Sequence, residues 1–69
     1  MSTDMEKLRT KMSQQKISPE TMARHIGVDA STFYRKIKSD GLNFTVGQMH
    51  KIVEVLSLTR EEATSIFLW

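Results

Sequence analysis

The chain has no cysteine. That excludes disulfide staples and thiolate metal sites, leaves apolar packing to hold any fold together, and fits a reducing cytoplasm. It has two histidines, His25 and His50, with no carboxylate triad around them, so no zinc-ligand set is recognisable. Its three glycines, Gly27, Gly41 and Gly47, stand too far apart to cradle a phosphate. No serine lies on a strained turn beside a histidine and an acid, so a nucleophilic triad is unsupported. Neither catalysis nor a metal or cofactor is expected. Long apolar runs are also missing. Nothing approaches the roughly 20 residues a membrane helix needs, and the start, Met1-Ser-Thr-Asp-Met-Glu-Lys, is polar and charged. These features predict a cytoplasmic chain with no leader and no membrane partner.

Sixty-nine residues predict a single domain, 1–69, near the lower size at which one core sustains a fold. The net charge of +2 is small, but it is unevenly spread. Residues 1–38 carry eight cations against four carboxylates, and residues 39–69 carry two against four. A basic half joined to an acidic half points to one face for polyanions and another for something else.

The punctuation predicts five helices and almost no strand. Met5, Leu8 and Met12 recur at helical spacing between Asp4 and Lys16. Ser18 and Pro19 make a start signal, because the hydroxyl caps free amides and proline at the first helical position lacks only a donor with no partner. Met22, Ala23 and Ile26 form that helix's apolar stripe, and Gly27 ends it in the left-handed conformation. Val28 plugs the turn. Asp29 then caps a third helix over Ala30–Lys38, with Phe33 and Ile37 inward and Ser31, Tyr34, Arg35 and Lys38 outward. Ser39-Asp40-Gly41 closes it, with Leu42 and Phe44 packing in the loop. Thr45 to Gln48 is a capping box opening a fourth helix with an apolar face of Val46, Met49, Ile52, Val53 and Leu56. Thr59 to Glu62 is a second box, opening a fifth with Ala63, Ile66 and Phe67 inward. The architecture expected is a compact all-α five-helix bundle containing a helix-turn-helix over Ser18–Lys38.

Met22-Ala23, Ile26-Gly27-Val28, Ser31-Thr32-Phe33 and Ile37, then Phe44-Thr45 to Leu56-Ser57-Leu58, give the chain its resemblance to small phage repressor, Cro-like and Xre-like helix-turn-helix regulators. The resemblance covers nearly the whole chain and implies a lambda-repressor-like DNA-binding domain. It implies that Asp29, Ala30, Ser31, Tyr34 and Arg35 approach base edges of double-stranded operator DNA. Lys16, Lys36, Lys38 and Asn43 would then meet phosphates. The chain departs from the family pattern at Pro19, where many members carry a phosphate-contacting glutamine. It departs again in its Asp-Ala-Ser front, where a strong reader shows Gln, Asn or Arg.

Two functions therefore stand side by side. One is a phage-type transcriptional regulator that binds DNA through residues 29–38. The alternative is an anti-repressor or modulator that offers the same face to a phage repressor protein. Phe67, Leu68 and Trp69 form an apolar end expected either to close over the core or to contact a second chain, as in a homodimer.

Overall fold

Each helix starts where a short polar side chain takes a free backbone amide three residues on. Asp4 accepts from Lys7 at 3.1 Å, Ser18 from Thr21 at 3.2 Å and Asp29 from Thr32 at 2.8 Å. Thr45 accepts from Gln48 at 3.0 Å, and Thr59 from Glu62 at 3.1 Å. In the last two pairs the third helical side chain reaches back to the cap amide, at 3.0 and 2.9 Å, completing both capping boxes. The computed structural model describes residues 4–39 and 44–67. Among them the elements are α1 (Met5–Gln14), α2 (Pro19–Ile26), α3 (Ala30–Lys38), α4 (Val46–Leu56) and α5 (Arg60–Phe67), with no strand. The expected turn residues Asp40, Gly41 and Leu42 lie outside the described residues.

The ends of α1, α2 and α4 follow a common rule. Lys16, Gly27 and Ser57 each take a positive φ, of 57°, 83° and 51°. The amide of the following apolar residue then donates back into the last helical turn: Ile17 to Met12 at 2.9 Å, Val28 to Ala23 at 3.0 Å and Leu58 to Val53 at 3.1 Å. This Schellman arrangement satisfies carbonyls that a helix end leaves free. Ile17, Val28 and Leu58 all pack against the core. Helix α1 therefore stops at Gln14, and Lys16 belongs to the turn.

The core joins Met5, Leu8 and Met12 of α1, Met22 and Ala23 of α2, and Phe33 and Ile37 of α3. Phe44, Ile52 and Leu56, with Ile66 and Phe67 of α5, complete it. No polar side chain is buried among the described residues. Phe33 is fully buried, its ring 5.9 Å from that of Phe44 and tilted by 56°, a favourable aromatic geometry. Helix α2 packs on both α3 and α4.

Helix α5 closes against α1. The Asp4 amide donates to the Ile66 carbonyl at 2.7 Å, Lys7 hydrogen-bonds Ser65, and Lys11 pairs with Glu62. Gln15 donates to the Leu56 carbonyl at 2.7 Å, linking the ends of α1 and α4. Two expectations shift. Ile26 is only half-buried, and Val46, expected on the apolar face of α4, is 64% exposed. Counted at 100° per residue, Val46 lies about 90° from the centre of the Met49, Ile52 and Leu56 stripe, and its position in the first turn leaves it beside solvent.

Replacing Phe33 with alanine removes the ring that fixes α3 to the bundle. Chemical denaturation of Phe33→Ala is expected to show a loss of about 3–5 kcal/mol, most of the stability of so small a domain; an unchanged midpoint would contradict the packing described.

Hydrogen bonding from Lys11, then the backbone amide bond within the Thr59 box, hold the Glu62 carboxyl below its ordinary value of 4.5. Its contribution is thus complete above that value and is lost as pH falls through the depressed folded value. Glutamine still completes the box but carries no charge. Glu62→Gln should therefore melt lower than the parent at neutral pH, with the two curves converging in acid.

Candidate functional site

The three-residue turn Gly27, Val28 and Asp29 sets α3 against α2. Because Phe33 and Ile37 are buried on one side of α3, the residues between them face outward by helical geometry. Ser31, Tyr34, Arg35 and Lys38 are all exposed, and Ala30 is half-buried at the helix start.

Each polar member of this face has a definite setting. The Asp29 carboxylate accepts from the Thr32 amide at 2.8 Å and from the Ser31 hydroxyl at 3.0 Å. Hydrogen bonds from Thr32, then from Ser31, hold it below the ordinary carboxylate range, and the nearby Arg35 charge adds to this. Asp29 is thus an ionised cap, and Ser31 is bonded to it. Arg35 donates from Nη2 to the Thr32 hydroxyl at 3.4 Å, a long contact that leaves the guanidinium at the surface. Tyr34, 44% exposed, donates its hydroxyl to Glu20 Oε2 at 3.3 Å. The phenol therefore leans toward the start of α2.

The lysines divide. Lys36 is half-buried with its ammonium 5.7 Å from the centre of the Phe44 ring, a cation–π placement that directs it along the bundle. Lys38 is exposed and borders a groove that Tyr34 also lines. Lys16 is exposed in the left-handed turn after α1. Asn43, Leu68 and Trp69 lie outside the described residues. Phe67 is 4% exposed and belongs to the core, so in this fold its ring faces the interior.

Glu20 and Arg9 were not singled out by sequence reasoning. Glu20 is fourteen residues from Tyr34, a separation at which no local rule pairs two side chains. Arg9, across the groove from α3, reads in sequence as one more cation on a solvated helix face. Among the described residues no group of three His, Cys, Asp or Glu is placed to hold a metal ion, and no helix is long and apolar enough to cross a membrane.

No family model, curated protein or solved structure matches this chain. The functional reading is carried by the chemistry of the α3 face and its surroundings.

Tyr34 is the only tyrosine in the chain, so its ionisation can be followed by ultraviolet absorbance. Partial burial first, and then the Glu20 carboxylate, push its phenol above 10.0. A titration midpoint above that value is expected, moving part of the way back in Glu20→Gln. A midpoint indifferent to Glu20→Gln would contradict the hydrogen bond between Tyr34 and Glu20.

Proposed function

We propose that this chain is a non-catalytic regulator of transcription, of the phage repressor type, that offers α3 to the major groove of double-stranded operator DNA. The observation that carries the reading is the outer face of α3. Ser31, Tyr34, Arg35 and Lys38 are exposed together on a helix anchored through Phe33 and Ile37. A helix presented in this way after a tight turn suits insertion into a groove of B-DNA. Arg35 is the base reader, since a guanidinium matches two acceptors on guanine. Lys38, with Lys16 from the turn after α1, neutralises phosphate. Lys36 has a smaller share, because its ammonium already rests over Phe44.

A second reading is favoured by the front of the same helix. Asp29 places a carboxylate where phosphates would approach, and it is kept ionised by its own cap bonds. Tyr34 and Arg35 side by side are residue types that dominate protein interfaces. In this reading the face pairs with a phage repressor protein and masks its DNA-binding surface.

Selection from a pool of random duplexes, followed by a salt titration on the winners, separates the two. DNA reading predicts one enriched sequence and an affinity that falls with salt by a slope of about −0.9 per phosphate contacted. Lys38→Ala should reduce that slope by about one contact, while Arg35→Ala should cost about 1–3 kcal/mol and relax the preference at one base pair. Enrichment of no sequence, together with release of a phage repressor from its operator when this protein is added, would replace the first reading by the second.

A further inference from the structure

We propose that the groove between α1 and α3 is a docking site for an acidic segment of a partner protein, one that carries apolar anchor residues between its carboxylates. The groove has a volume of about 440 Å³ and runs along the side of α3 that turns toward α1. Met12 and Ile37 form its buried floor, and half-buried Ile17 and Pro19 form its wall. Such a surface holds aliphatic or aromatic anchors laid between two helices, in the manner of peptide grooves generally. Space of this size admits a few side chains and has polar groups mainly at its edges.

Charge decides what kind of segment fits. Arg9 from α1 and Lys38 from α3 are exposed members of the lining, and among the described residues no carboxylate lines the groove. Neither cation forms an ion pair among the described residues, whereas Lys7, Lys11 and Lys51 all do. Glu20, next in the chain to the lining residue Pro19, accepts from the Tyr34 hydroxyl and is not part of the lining. An occupant with carboxylates flanking its anchors would meet both cations while burying its apolar residues on the floor. Duplex DNA fits the site less well, because phosphates gain nothing from an aliphatic floor.

The site is distinct from the outer face of α3 and does not rest on the DNA reading. The two nevertheless share Tyr34 and Lys38. A segment seated in the groove would therefore lie against residues the outer face also presents, so an occupied groove and an engaged outer face exclude one another.

The test is selection of a library of random dodecapeptides on the full chain, with affinities of the winners read by fluorescence anisotropy. Winners are expected to carry an apolar anchor flanked by Asp or Glu. Combining Arg9→Glu with Lys38→Glu should weaken their binding by about tenfold or more and shift a repeated selection toward Lys and Arg flanks. Ser13 is an exposed residue of the lining, and Ser13→Trp should fill the groove and abolish capture without moving the melting temperature. Three results would overturn the proposal. They are no enrichment, winners without carboxylates, and binding lost on Arg35→Ala but insensitive to the groove variants, which would place the segment on the outer face.

Discussion

Burial of Phe33 is the constraint on which the rest of the arrangement depends. Helix α3 has nine residues, too few to be stable alone in water. It exists because Phe33 and Ile37, one turn apart, enter the core beside α2 and Phe44. Those two anchors also set the rotation of the helix. Once they point inward, Ser31, Tyr34, Arg35 and Lys38 have no choice but the outside. The same ring contact ties Phe44 to α3 and brings it under the Lys36 ammonium. A packing decision in the core thereby determines which cations remain at the surface for a partner.

Much of this was legible because short-range rules act on a few residues at a time. Ser18, Asp29, Thr45 and Thr59 announce helix starts through their own chemistry, and all four accept the amide three residues on. Gly27 announces an end, because glycine takes positive φ without steric cost. Lys16 and Ser57 make the same turn and announce nothing. Their left-handed conformations are costly for a residue with a Cβ and are offset by the docking of Ile17 and Leu58 on the core. The signal for those two turns is the apolar residue after the left-handed one, and it acquires meaning only when a core exists to receive it. Val46 fails in the opposite direction. Its letter is apolar and its spacing nearly right, but an offset of about 90° at the first turn of a helix is enough to leave it in solvent.

Charge was the least legible property, because composition counts cations without saying which are occupied. The basic surplus of residues 1–38 suggested a surface reserved for polyanions. Part of it is used inside the molecule: Lys11 pairs with Glu62, Lys7 bonds Ser65 and lies 3.9 Å from Asp4, and Lys36 covers Phe44. The basic and acidic halves are therefore in part complementary to each other, with α5 held to α1 across that boundary. Such surface pairs add little stability individually, but they position α5 against α1 and neutralise part of the basic surplus. The cations of residues 1–38 not taken up in these contacts are then Arg9, Lys16, Arg24, Arg35 and Lys38, spread over α1, α2, α3 and the turn between α1 and α2.

That redistribution bears on how one small domain could serve two kinds of contact. Lys38 borders the groove toward α1 and also belongs to the outer face of α3, so it is a charge common to both surfaces. Tyr34 is common to both as well, and its hydroxyl is tied back to Glu20. On the two contacts proposed, occupying one surface would remove from the other a positive charge and a large amphipathic ring. Exclusion between the two contacts then needs no change of fold. It would follow from the sharing of Tyr34 and Lys38 between the two surfaces, each of which also has residues of its own.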